Sequence, residues 1–429
     1  MRKYVVIPDS FKGCLSSGEI CDIIAREIRR RDPEARVCAL PVADGGEGTV
    51  DAFLGALGGE KIAVPCRDPY GRPLTAHYGL FPDGKTAVIE MAAAAGLPLV
   101  GEDRRVADTT TYGVGQLIAH ALKRGAERII LGLGGSATND GGCGAAAALG
   151  VEFLDAEGKA FVPVGGTLRR IAHIRTDGLL PALRQAEVIA MCDIDNPLCG
   201  ESGAAAVFAP QKGADAAAVR MLDEGLAHLA AVIEMDLGPS LLTLPGGGAA
   251  GGFGAGSVAF LGARLQMGIE AVLDLTDFDR LAADAYLVIT GEGRLDSQSL
   301  RGKVVVGVAR RARALGVPVV ALVGSSETDI AAAYDAGVTA VFPINPAPTT
   351  LNEALAHART HLAFTAENVL RFARCLDENR YKPLAMAAFS RYTEIYNMER
   401  GTSHASRRNP RKRPAASGGG HSLYHAQAL

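Results

Sequence analysis

The sequence predicts an α/β protein in which a doubly wound sheet is built from both ends of the chain and a second, mixed-sheet α/β part is inserted in its middle. Three observations lead there. Apolar runs suited to strands buried on both faces alternate with amphipathic helical stretches up to about residue 62 and again after about 285. That alternation is lost between about 62 and 125, where Pro and turn residues (PCRDPYGRP, FPDGK) break up short runs. The chain also has 429 residues, more than one hydrophobic core usually supports.

Each element has its own signal. Lys3 to Pro8 (KYVVIP) is a nearly continuous apolar run and reads as a strand. Ser16 and Glu19 have capping-box spacing, and Ile20, Ile23, Ile24 and Ile28 recur at helical intervals, which predicts a helix over 17–31 ending before Pro33. Arg36 to Val42 is a second strand, and the DGGEG turn at 44–48 opens a helix over 47–58. In the middle of the chain, strands are expected at 127–133 and 187–192 and helices at 143–150 and 218–235. The closing stretch predicts strands at 286–290, 317–323 and 338–343 interleaved with helices at 302–315, 328–336 and 350–375. The expected organisation is therefore a discontinuous Rossmann-like domain from residues 1–62 and 280–376, an inserted domain at 63–279 and a tail at 377–429, with a ligand cleft between the two domains. Residues 400–429 hold no acid, six Lys or Arg and an SGGG stretch, a composition that buries little and reads as disordered.

Composition excludes several functions. A formal net charge of −3 gives no electrostatic reason to expect nucleic acid or an anionic membrane as partner. The eight cysteines are scattered singly without zinc spacing, and no apolar stretch is long enough for a signal peptide or a membrane span. A reducing, cytoplasmic setting is expected. The composition leaves a homodimer open.

Four segments rich in glycine and polar groups stand at the ends of predicted strands, where open α/β sheets bind ligands. PDSFKG (8–13) offers Ser10 and Lys12, a cation able to neutralise a phosphate or carboxylate. VADGGEGT (42–49) sets Asp44 and Glu47 around Gly45 and Gly46, which would let a ligand reach backbone N–H groups. LGLGGSATNDGGCG (131–144) runs from strand to helix through Gly134, Gly135, Ser136, Asn139 and Asp140, a candidate anion cradle. TGEGRLDSQSLRGK (290–303) gathers Glu292, Arg294, Asp296, Gln298 and Lys303. Together with Asp193 and Asp195 of CDIDNP (192–197), it supplies most of the carboxylates suited to Mg²⁺ or to proton abstraction. GLFPDGKT (79–86) matches the P-loop pattern, but Pro82 and Asp83 make a turn and AVIEM reads as another strand, so a hairpin is expected instead. GLGGSA and GAGSVA lack the ribose-binding acid of a dinucleotide fold.

In these segments, and in TTYGVGQLI (110–118) and GAAGGFGAG (248–256), the chain resembles the type 1 glycerate kinases, the bacterial D-glycerate kinases that make 2-phosphoglycerate. The resemblance spans about residues 2–376 and does not extend to the tail. It implies two α/β domains with ATP and glycerate in the cleft between them. Catalysis would then rest on Asp193, Asp195, Lys12, Arg294 and Asp296. Glu292 and Asp296 would hold magnesium, and Ser10, Asp44, Gly45, Gly46, Glu47, Gly134, Gly135, Ser136, Asn139, Asp140 and Lys303 would bind substrate or phosphate. Phosphoryl transfer asks for positioning and charge neutralisation, which these residue types provide. A kinase of another small hydroxy acid or polyol is the alternative enzyme, and a non-catalytic metabolite-binding regulator the alternative class. Cleft carboxylates favour the metal-using kinase, because a pure binder of an anionic metabolite would avoid them.

Overall fold

A parallel strand covered on both faces must be apolar at nearly every position, and the first strand meets this demand: Val5, Val6 and Ile7 are fully buried. In the computed structural model, residues 1–42, 45–102, 104–296, 299 and 303–377 are described. In chain order the strands are β1 (Lys3–Val6), β2 (Arg36–Ala39), β3 (Glu60–Arg67), β4 (Pro73–Leu80), β5 (Thr86–Glu90), β6 (Arg128–Gly132) and β7 (Glu152–Leu154). They continue with β8 (Ala160–Phe161), β9 (His173–Arg175), β10 (Glu187–Met191), β11 (Arg264–Gln266), β12 (Leu287–Leu295), β13 (Val319–Ser326) and β14 (Ala340–Pro343).

Five of them form a parallel sheet in the order β14-β13-β12-β1-β2. The chain winds one way from β1 to β2 and the other way from β12 to β14. The order therefore reverses between β1 and β12, and a crevice opens at the carboxyl ends of those two strands. A second sheet has the order β11-β10-β6-β5-β4-β3, antiparallel among β3, β4 and β5 and parallel beyond. A small sheet, β8-β7-β9, stands apart from both and has no counterpart in the sequence expectations, since its strands have only two or three residues.

The fold is mixed α/β, as expected. The helix Ser17–Arg31 has the expected limits, and Ser16 and Glu19 form the capping box. FPDGK is the turn between β4 and β5: the Asp83 carboxylate accepts from the Lys85 and Thr86 backbone N–H groups. On one face of the five-stranded sheet, Tyr4, Val6 and Ile289 pack against Ile20 and Ile24 of that helix and Leu362 and Ala366 of the helix Leu351–Asp377. On the other face, Val5, Val288 and Val319 share one core with Val305 and Val308 and with Val88, Ile130 and Ile189 of the second sheet. Residues 1–370 make up one compact unit. The boundaries expected at 62/63 and 279/280 fall inside β3 and the helix Phe278–Ala282. No helix among the described residues is long and apolar enough to cross a membrane.

Candidate active site

The reversal point of the five-stranded sheet lies against a cleft of about 1380 Å³. Its first wall is the turn after β1. Asp9 N–H donates to Gly291 O of β12 (2.8 Å), and Phe11 and Leu15, both buried, bridge to each other and anchor the turn. Ser17 Oγ ties the turn down from below, donating to Pro8 O (2.6 Å) and accepting from Val42 N–H (2.8 Å). Ser10 and the exposed Lys12 are left lining the cleft.

The second wall is the end of β12. The Thr290 hydroxyl donates to Ile7 O (2.8 Å) and fixes the strand against β1. Glu292 follows, only 5% exposed, and its Oε1 has no hydrogen-bond partner among the described residues. Burial, with the nearby charges of Asp9 and Asp296, pushes its carboxyl up to about 7, against the opposing pull of a Ser299 hydrogen bond and the Lys303 charge. Arg294 reaches Glu327 (3.1 Å) and Asp296 (3.6 Å), and Asp296 accepts from Ser299 N–H (3.3 Å). Lys303, at the start of the helix Val304–Ala314, completes this wall.

The third wall comes from the second sheet, after β10. Asp193 Oδ1 accepts from Gly268 N–H (2.7 Å) at the start of the helix Gly268–Leu275, which holds the half-buried carboxylate at the cleft. Asp195, two residues on, is exposed and lines the same cleft. Asp9, Asp193, Asp195, Glu292 and Asp296 thus meet Lys12, Arg294 and Lys303 in one place.

The other expected site residues lie elsewhere. Asp44 and Gln298 are outside the described residues. Glu47 is exposed but away from the cleft lining. Gly45 and Gly46 are buried against the next glycine segment: Gly134 N–H donates to Gly45 O (3.0 Å), and a Cβ on Gly134 would fall 2.7 Å from Gly46 Cα. The N-terminal turn of the helix Thr49–Leu57 already receives a carboxylate from within the protein, since Glu90 Oε1 accepts from Val50 N–H (2.6 Å). Gly135 is exposed, but its carbonyl accepts from Leu97 N–H (3.0 Å). The fully buried Asp140 accepts from the Thr111 N–H and hydroxyl (2.7 and 2.8 Å) and from Gly142 and Gly144 N–H (3.1 and 3.2 Å), while burial pushes its carboxyl up. Ser136 Oγ and Thr138 O accept from the buried Lys212 Nζ, each at 2.7 Å. Burial brings that ammonium down to about 7. Beside it, Thr138 Oγ1 and both amide atoms of the fully buried Asn139 have no partner among the described residues.

Lys212 was not legible in the sequence: a lone lysine in AVFAPQKGA carries no mark of burial. Nor was the apolar side of the cleft, which runs from Pro343 to Ala358.

The described residues hold no cluster of three or more His, Cys, Asp or Glu side chains placed to enclose a metal. They do suit an ion that keeps its water and borrows phosphate oxygens, because the unpartnered Glu292 Oε1 faces an acidic, open cleft.

An α/β frame with a reversal-point cleft, lined by carboxylates on one side and cations on the other, defines an enzyme for small anionic ligands. The chain belongs to the glycerate kinase family, whose profile it matches over residues 4–374. It is 46% identical over 370 residues to a glycerate kinase of Halalkalibacterium halodurans, covering 86% of this chain and 97% of that one. A glycerate 2-kinase of Escherichia coli K12 is 44% identical over 368 residues, covering 86% and 97%. A solved structure from Salmonella typhimurium LT2, assigned as glycerate kinase 2, superposes with a TM-score of 0.78 at 44% identity, covering 88% of this chain and 99% of that one.

Proposed function

We propose that the protein transfers the γ-phosphoryl group of ATP to the 2-hydroxyl of D-glycerate, giving 2-phosphoglycerate and ADP. The observation that carries this reading is the meeting of Asp193 and Asp195 from one sheet with Lys12, Glu292, Arg294, Asp296 and Lys303 from the other, in a single cleft. One of the two aspartates accepts the proton of the attacking hydroxyl. Asp193 is the better oriented, because Gly268 N–H fixes one of its oxygens. Lys12, Arg294 and Lys303 offset the charge that spreads over the transferring group and bind the carboxylate of the acceptor. Glu292 and Asp296 would hold Mg²⁺, which when bound neutralises phosphate charge. The inserted part (63–279) supplies the acceptor side and the discontinuous part (1–62 and 280–376) the nucleotide side, the two proposed as domains that meet at the cleft.

The test is ADP release measured over a panel of hydroxy acids and polyols, with and without magnesium, with the product identified by phosphorus NMR. Magnesium-dependent turnover of D-glycerate to the 2-phosphate is expected. Preference for another acceptor, or a 3-phosphate product, would overturn the assignment.

A further inference from the structure

We infer that the adenosine part of the nucleotide lies on the apolar wall made by the loop after β14 and the first two turns of the helix Leu351–Asp377. This rests on the kinase reading above and deepens it, by dividing the cleft between the two substrates.

The first observation is size. A cleft of about 1380 Å³ is above the range typical of a drug-sized ligand, and a three-carbon hydroxy acid would leave most of it as open water. The second is the distribution of charge. Among the lining residues from Pro343 to Ala358 none is ionisable, whereas every lining carboxylate, lysine and arginine comes from the loops after β1, β10 and β12. Topology keeps these stretches apart: the β10 loop belongs to the second sheet, the β1 and β12 loops to the reversal point, and β14 to the far edge of the first sheet. Acceptor beside Asp193 and Asp195, phosphates beside Lys12 and Lys303, and an uncharged heterocycle on the apolar edge follow the polarity of ATP itself.

The third observation is exposure. Leu351 is 73% exposed and Leu355 half-exposed, and both line the cleft with Ile344, Ala347 and Pro348. A leucine so open at the mouth of a cleft gains by a flat apolar occupant. The fourth is rigidity and polar reach. Pro343, Pro346 and Pro348 fix the backbone of the loop, so little freedom is lost when it is covered. β13 runs on to Ser326 although its pairing with β14 stops at Val323 and Pro343. Gly324, Ser325 and Ser326 therefore line the cleft beyond the end of β14, with backbone and hydroxyl groups suited to a base edge or a ribose. Asn345 is held there, its Nδ2 donating to Gly324 O (2.9 Å).

The chain contains no tryptophan, so Leu355→Trp introduces a single reporter. Titration with Mg·ADP should change its emission, and titration with D-glycerate alone should not. In a second variant, Leu351→Glu, placing a carboxylate on the wall should raise the KM for ATP by about tenfold or more, a loss of about 1.4 kcal/mol, with the KM for glycerate and the melting temperature unchanged. A reporter that answers glycerate and ignores Mg·ADP would overturn the inference. So would an unaltered KM for ATP in Leu351→Glu while calorimetry shows that the wild type binds Mg·ADP. Calorimetry separates this failure from that of the kinase reading. A protein that binds Mg·ADP, lights the reporter and phosphorylates no hydroxy acid keeps the adenosine wall and loses the proposed reaction. A wild type that binds no Mg·ADP loses both.

Discussion

Two regions of this molecule are written in almost the same alphabet and folded to opposite ends. The loops after β1, β10 and β12 and the loops at 45–47 and 134–140 are all short, polar and glycine-bearing, and all leave the carboxyl ends of strands or open helices. In the first group the side chains face a cleft. In the second, the missing Cβ atoms let two backbones touch: a Cβ on Gly132 would meet Gly45 O at 2.4 Å, whereas one on Gly293 would find nothing nearer than Phe11 Cα at 3.6 Å. A glycine-rich turn thus carries two meanings, ligand approach or chain approach, and only the identity of the neighbour separates them.

The sharpest way to break the comparison is to remove carboxylates from the cleft. Asp193→Asn, Asp195→Asn and Asp296→Asn should each cut turnover, by at least ~10² for whichever aspartate takes the proton. Circular dichroism should show the variants folded. If all three kept wild-type kcat, the chemistry would not belong to these loops. Asp193→Asn also weakens the start of the helix Gly268–Leu275, so its melting point should drop slightly.

Next in size is a matched pair of glycine substitutions. Gly134→Ala forces a methyl to within 2.7–2.8 Å of Gly46 backbone atoms and should cost about 1–3 kcal/mol in unfolding free energy with little change in KM. Gly293→Ala has room for its methyl and should leave the melting temperature alone while raising a KM, since Gly293 lines the cleft. The reverse pattern would return the 134–140 loop to ligand binding.

The smallest effect concerns Lys212. Its folded value of about 7 lies below the ordinary 10.5, so the unfolded chain holds that proton more tightly. Stability contributed by this group is lost as pH falls through about 7 and rises with pH from there to about 10.5, by up to roughly 1.4 kcal/mol per pH unit. Lys212→Met should flatten that slope relative to wild type in urea titrations at pH 7, 8 and 9. An unchanged slope would mean that the ammonium is better paired than its burial suggests.

Much of the fold was legible because it is written locally. The capping box at Ser16, the isoleucine spacing of the first helix and the apolar run of β1 each need only neighbouring residues, and all three stand where expected. The cleft residues were partly legible, since a polar loop at the end of a buried strand has few other places to point. What stayed hidden depends on distant partners. Glu90 reads as the last residue of a strand, and only the fold shows it capping a helix forty residues away. Lys212 is buried by segments seventy and more residues upstream. The apolar wall at 343–358 has the composition of an ordinary loop and helix, and only the cleft beside it gives those residues an occupant.

The adjacency of β1 and β12 also sets a timetable. Ile7 and Thr290, which the hydroxyl bond joins, are 283 positions apart in the chain, so at about 5–20 residues per second a ribosome needs on the order of 15–60 seconds to deliver the second after the first. For that interval β1 is an apolar ribbon lacking one of its two neighbours, and a nascent chain must shelter it or lend it to a chaperone. No premature release can yield a partly working catalyst, since the crevice comes into being only when the last third of the message has been read.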